Sequence, residues 1–184
     1  MADDRKELLI ATAVTLLREN ADPQAITVRE LAARSGVNSA LINYYFGSKE
    51  TLLKTAVDRI VAEAGETLET GRQETDPREF LFGFIMNMSR LMLRYEQYSR
   101  IIVPDLILKD PIELPQRLLP AVRAATGKEE TECRLIAYQL VAFLQTLFYR
   151  IDDVGRYMGI DLRAAGNIEK VVRGEIDLLM PEAL

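Results

Sequence analysis

The 184-residue chain is 48% apolar and 28% charged, with a net charge of −5, a composition that supports one or two compact domains around a sizeable core. No apolar run approaches the roughly 18 residues of a membrane span, the opening MADDRKELL does not read as a secretory signal, and the lone Cys133 cannot close an internal disulfide, so a cytoplasmic protein without membrane contact is expected. The chain has no His, which removes the commonest general base and metal ligand and sets the expectation of no catalysis, no metal and no cofactor.

Helical periodicity runs through almost the whole chain and strand alternation almost nowhere, which predicts an all-α fold. Residues 4–19 place Leu9, Ile10, Ala13, Leu16 and Leu17 on one helical face, and Asp22-Pro23 breaks that helix. Thr27, followed three residues later by Glu30, has the spacing of a capping box for a short helix over 28–34. Ser35-Gly36 ends it, Asn38 caps a third helix over about 39–45, and Gly47 closes that one. Ser48 then caps a longer helix running to about Glu69. The polar stretch 71–77 reads as a connection. Beyond it, residues 78–96 form a helix apolar on nearly every side, expected at the centre of a larger helical body. Helices over 98–108 and 114–125 are punctuated by Pro104, Pro111, Pro115 and Pro120. Two long helices, about 129–153 and 162–179, follow and are separated by Gly155 and Gly159.

Two short helices joined by a tight Gly-containing turn, with a third helix in front, make a helix-turn-helix unit. Val28, Leu31, Ala32, Val37, Leu41 and Ile42 are expected to bury against Leu9, Ala13 and Leu16. That leaves Ser39, Asn43, Tyr44 and Tyr45 on the outer face of the third helix, where short polar side chains can read base edges in a major groove. Thr27, aromatic hydroxyls and backbone groups at helix starts can reach phosphates. Charge pulls the other way, because phosphate neutralisation usually supplies much of the affinity for DNA. Residues 1–60 hold eight Lys/Arg and eight Asp/Glu, and residues 61–184 hold fifteen and twenty. The N-terminal part is therefore the less acidic half, and a few placed cations, doubled in a dimer, suffice. The same cluster also reads as plain packing, with Arg29 and Lys49 as solvated charges.

The stretch TVRELAARSGVNSALINYYFGSKETLL, residues 27–53, resembles the DNA-binding signature of the TetR (tetracycline-repressor) family. The resemblance covers about residues 9–53, and its most specific part is Tyr45-Phe46-x-Ser48-Lys49-Glu50. It implies a ligand-responsive transcriptional regulator, most often a repressor, that binds a palindromic double-stranded DNA operator as a homodimer. It also implies phosphate contacts from Thr27 and Lys49, anchoring of the recognition helix by Tyr45, and base contacts from Ser39 and Asn43. Asn43 stands where the family often carries an aromatic residue, and Gly47 where Pro is frequent. The DNA-facing candidates are thus Thr27, Arg29, Asn38, Ser39, Asn43, Tyr44, Tyr45 and Lys49. The expected division is a helix-turn-helix DNA-binding domain over 1–47 and a helical ligand-binding and dimerisation domain over 48–184.

In the body, residues 80–95 offer more apolar and thioether surface than one helix face needs. Met88, Met92, Tyr95 and Tyr138 are the candidate lining of a pocket for a small-molecule effector, largely apolar, with core packing as the competing reading. Asn87, Arg90 and Arg94 share one stripe, expected at the solvent. The last helix carries Ile168, Val171, Val172, Ile176 and Leu179 on one face, and the helix before it is apolar on two sides. Leu144, Ile151, Ile168, Val172, Ile176 and Leu179 are accordingly the candidate dimer interface, which the resemblance arranges as four helices from two copies. Cys133 has no His to activate it. The carboxylates at Glu129, Glu130 and Glu132 and at Asp152-Asp153 read as solvated helix ends. The alternative to a regulator is a helical small-molecule carrier whose N-terminal helices are only structural.

Overall fold

The computed structural model describes residues 2–20, 22–66, 76–108 and 112–181. Among them all regular structure is helical: α1 (Ala2–Glu19), a 3-10 turn (Pro23–Ala25), α2 (Val28–Ser35), α3 (Ala40–Phe46), α4 (Lys49–Glu66), α5 (Pro77–Arg94), α6 (Glu96–Leu108), α7 (Glu113–Thr126), α8 (Glu130–Tyr149), α9 (Ile151–Met158) and α10 (Asn167–Leu179). No helix among the described residues is long and apolar enough to cross a membrane. The chain forms two compact units, Met1–Glu63 and Ala64–Leu184.

Local signals place the helix ends of the first unit. Asp22 accepts the Gln24 N–H and starts the 3-10 turn. The Thr27 hydroxyl accepts the Glu30 N–H at 3.1 Å and starts α2, satisfying one of the donors a helix leaves open at its N-terminus. Gly36, at φ 66°, takes the left-handed conformation that ends α2, which a side chain would strain. Asn38 accepts the Ala40 N–H at 2.9 Å and so caps α3, as expected. Ser48 accepts the Thr51 N–H at the start of α4.

Helices of eight and seven residues are marginal alone, so burial holds them. Leu9, Ala13, Leu16, Leu31 and Ile42 are fully buried, and each large aliphatic side chain so placed contributes about 1.5–3 kcal/mol. Val28 does not join them. It lies at the first position of α2 and is exposed, while Ile26, two residues earlier, is fully buried and takes the place in the core. The unit extends along α4 to Glu63, past the expected division at 47/48, because Leu52, Leu53, Ala56, Val57 and Ile60 are all buried. Ion pairs of Glu7 with Arg59 and of Arg18 with Glu63 join α1 to α4, and Glu19 with Arg34 joins α1 to α2.

In the second unit α5 packs against α7, α8 and α10. Leu81, Phe84, Ile85, Met88 and Met92 are buried, and Asn87, Arg90 and Arg94 form the exposed stripe. The expected connection over 71–77 lies outside the described residues up to residue 75, as does any continuation of α4 to Glu69 and as does Pro111. Asp76 and Pro77 already belong to α5: Asp76 accepts the Arg78 and Glu79 N–H groups, and Pro77 opens the helix. Pro104 and Pro120 sit inside α6 and α7 instead of ending them. The long helix expected over 129–153 is interrupted at Arg150, whose backbone leaves the helical region (φ −118°, ψ 31°). The last helix starts at Asn167, because residues 160–166 form turns, with the Arg163 N–H bonded to Asp161 and the Asn167 amide to the Asp161 carbonyl.

Gly155 is buried inside α9, and a Cβ there would lie 2.9 Å from the Ile160 carbonyl oxygen. The Ile160 N–H also donates to the Gly155 carbonyl at 3.0 Å, so the turn after α9 closes tightly on this residue. Gly155→Ala is expected to destabilise the protein by about 1–3 kcal/mol through this overlap, read as a lower urea midpoint. An unchanged midpoint would contradict the close approach.

Candidate nucleic-acid interface

The first unit presents one exposed polar face built from α3 and the N-terminus of α2. On α3, Ile42 turns inward and is fully buried, while Ser39, Asn43 and Tyr44 are exposed, Tyr44 to 78%. Tyr45 is half-buried and meets two rings edge-on, Tyr44 at 5.0 Å and Phe46 at 6.4 Å between centroids. Thr27, Arg29 and Asn38 are exposed on the flanks. The Thr27 oxygen takes the Glu30 N–H, which leaves its own O–H proton available to an outside acceptor. Lys49 is different. Its side chain is only 22% exposed, and its ammonium donates to the Ile26 carbonyl at 2.9 Å.

Charge on this unit is largely spent internally. Arg34 makes two hydrogen bonds to Glu19, at 2.6 and 3.1 Å, and Arg59 makes two to Glu7. These guanidinium contacts hold the Glu7 and Glu19 carboxyls below the usual carboxylate range. The unit therefore has little surplus positive charge, and the polar face must bind through placed groups more than through bulk attraction.

The body candidates divide. Met88, Met92 and Tyr95 fall at helical spacings of four and three and are all buried. Tyr138 does not join them. It is 52% exposed, because α8 turns Ile136, Leu140, Leu144 and Leu147 inward and Tyr138 is nearly half a turn away. The same phase puts the dimer candidates on the inner side of their helices. Leu144, Ile151, Ile168, Val172 and Ile176 are buried within the single protomer, and Leu179 is half-buried. The strongest apolar stripe of each helix went to the protomer's own core.

Sequence reasoning missed the faces that remain outside. On α8, Leu135, Tyr138, Ala142, Thr146 and Tyr149 recur at spacings of three and four, and Leu135, Tyr138 and Tyr149 are each about half exposed. On α10, Val171, Gly174 and Leu178 do the same, with Leu178 80% exposed. The opposite flank of α10 is fastened to α5. Arg78 donates to Asp177 and to the Met180 carbonyl, and Arg173 pairs with Glu79 and lies 3.5 Å over the Phe82 ring. The missing signal was a second, weaker periodicity of aromatic and small residues beside the aliphatic one.

A hollow of about 500 Å³ opens at the α9–α10 turn, lined by Ile151, Gly155, Arg156, Ile160, Leu162 and Arg163 among others. Arg163 is engaged there by Glu96 at 2.6 Å and Asp152 at 2.8 Å, so its charge serves the turn.

Residues 9–56 match the sequence profile of "Bacterial regulatory proteins, tetR family". The chain is 41% identical over 69 residues to the HTH-type transcriptional regulator EthR of Mycobacterium tuberculosis, a match covering 37% of this chain and 31% of that protein. The matched segment thus spans about a third of the relative's length. The fold resembles that of Thermus thermophilus FadR, solved with lauroyl-CoA (TM-score 0.57, 16% identity, 97% of this chain and 95% of that one). It also resembles BioQ, solved with its double-stranded DNA operator (TM-score 0.54, 19% identity, 95% and 97%). Signature and helix-turn-helix geometry agree over this segment: residues 9–56 are similar to the DNA-binding part of the tetR family of bacterial regulatory proteins, and the all-helical fold as a whole is like that of the solved structures.

Proposed function

We propose that this protein is a ligand-responsive transcriptional regulator, a repressor by the family's commoner mode, that acts in the cytoplasm and binds a pseudo-palindromic operator as a homodimer. The observation that carries the proposal is the α3 face, where Ser39, Asn43 and Tyr44 are all exposed above a fully buried Ile42. In this reading α3 enters the major groove, Ser39 and Asn43 read base edges, and Thr27, Arg29, Asn38 and Tyr45 contact the backbone.

The dimer pairs the outward faces of α8 and α10. Apolar residues such as Leu178 and Tyr138 stay in water in the lone protomer, and a two-fold contact covers them on both copies at once. The effector binds in the α5 body beside Met88, Met92 and Tyr95, whose flexible thioethers suit a largely apolar ligand. A related fold accommodates lauroyl-CoA in FadR. Residues beyond Glu63 then carry ligand binding and dimerisation, with α4, most of which packs in the reading unit, as the lever. For a ligand to weaken operator binding tenfold, it must prefer the DNA-free form by about 1.4 kcal/mol.

Asn43→Ala is expected to cost about 1–3 kcal/mol on the preferred duplex and to relax base preference there, while binding to random duplex stays close to wild type. Equal loss on both duplexes, measured by fluorescence anisotropy, would remove Asn43 from base reading. The double variant Tyr138→Arg, Leu178→Arg should sediment as a monomer with little change in protomer stability, since both side chains are exposed. A dimer that survives it would place the interface elsewhere. Acyl-chain compounds that raise the melting temperature should also compete with operator; tight binders that leave operator affinity unchanged would reduce the body to a dimerisation scaffold.

A further inference from the structure

We propose that Gly174 and Glu175 on α10 are the contact point for α8 of a second copy of this chain; the inference rests on the homodimer proposed above. Gly174 lets the partner helix come close, and Glu175 accepts hydrogen bonds from tyrosine hydroxyls on it. The outward side of α10 carries Val171, Gly174, Glu175 and Leu178, with Leu178 80% exposed. The other flank of the helix is held to α5 through Arg78 and Arg173.

The packing of the protomer does not call for a glycine at position 174. It lies in the interior of α10, on right-handed helical backbone, where glycine weakens a helix. Among the described residues, a Cβ there would meet nothing within 4 Å, so the protomer leaves room for a larger side chain. The glycine instead makes a shallow notch between Val171 and Leu178 on the outward side of the helix. A second helix can approach closely at such a notch, and any added Cβ would hold it off.

Glu175 is half-buried, and among the described residues its side chain has no ion pair and no hydrogen bond. Burial raises its carboxyl above the usual carboxylate range. A carboxylate so placed loses water without gaining a partner, and closing an apolar interface over it costs more unless a donor arrives. The α8 face has the complementary lack. Residues 135–149 contain no charged side chain, so no cation comes with them. They bring the hydroxyls of Tyr138 and Tyr149 instead, both side chains about half exposed and likewise without a hydrogen bond among the described residues. A phenol donating to a carboxylate makes a charge-assisted bond, and a two-fold axis makes each such bond twice. The acceptor without a donor on α10 and the donors without an acceptor on α8 complete each other across two copies.

The test uses the full-length chain and the dimer dissociation constant from sedimentation equilibrium, with circular dichroism showing each variant folded. Glu175→Ala is combined with Tyr138→Phe and with Tyr149→Phe in double-mutant cycles. Glu175→Ala is expected to weaken dimerisation about tenfold or more, since each dimer holds the contact twice. One of the tyrosine changes should cost about as much alone and little further once the Glu175 carboxylate is gone. Losses that multiply independently in both cycles, or a Glu175→Ala dimer as tight as wild type, would overturn the pairing. Gly174→Ala gives readouts of opposite sign. In the monomeric Tyr138→Arg, Leu178→Arg background it should raise the urea midpoint, and in the wild-type background it should weaken the dimer about tenfold or more. A dimer unchanged or tightened by Gly174→Ala would overturn the close approach. A wild type that sediments as a monomer, or a dimer that survives Tyr138→Arg, Leu178→Arg, would overturn the homodimer reading itself, before any of these variants is compared.

Discussion

Helices of seven and eight residues do not hold themselves in water, because nucleation costs more than so few bonds return. The proposed reading face of this protein stands on two such helices. Its geometry therefore depends on the small core beneath, where Leu31 and Ile42 share full burial with Leu9, Leu16 and Ile26. Ile26 matters twice in that arrangement, since its side chain enters the core while its carbonyl receives Lys49. Ion pairs from α1 to α2 and α4 surround this core on the exposed side, where each pair contributes little by itself. Burial fixes the face, and the caps fix its ends.

The second unit follows a different rule. α8 and α10 each carry more apolar surface than one side can hide. The aliphatic stripe of each helix goes inward, and a mixed stripe of aromatic, small and isolated aliphatic residues stays outside. Arginines on α5 and α10 fasten one flank of α10. On the proposed function this division has a use: the protomer folds on its inner stripes and pairs on its outer ones, so the dimer need not form for the body to fold.

Much of this was legible in the sequence because it is local. Thr27, Gly36, Asn38, Gly47 and Ser48 act within three or four residues of themselves, and the structure puts the helix ends where they point. The exposed Ser39–Tyr44 face was legible too, as the complement of the apolar positions. What escaped was long-range. Lys49 meets a carbonyl 23 residues away, and nothing in its neighbourhood announces that. The phase of α8 and α10 escaped for a related reason: hydrophobic spacing shows that a helix has an apolar face, but not whether the protomer or a partner covers it. Leu144 and Val172 looked like interface for that reason, and Tyr138 looked like pocket. The break at Arg150 carries neither Gly nor Pro at the point where the helix bends, so composition gave no sign of it.

The central claim is that α3 reads DNA in a two-fold pair. The most direct measurement is to enrich fragments of the genome with the purified protein, sequence them, and footprint the enriched sites. The account predicts a shared pseudo-palindrome with two protected half-sites about one helical turn or more apart. Enrichment that shares no sequence, or protection of a single unpaired half-site, would contradict it.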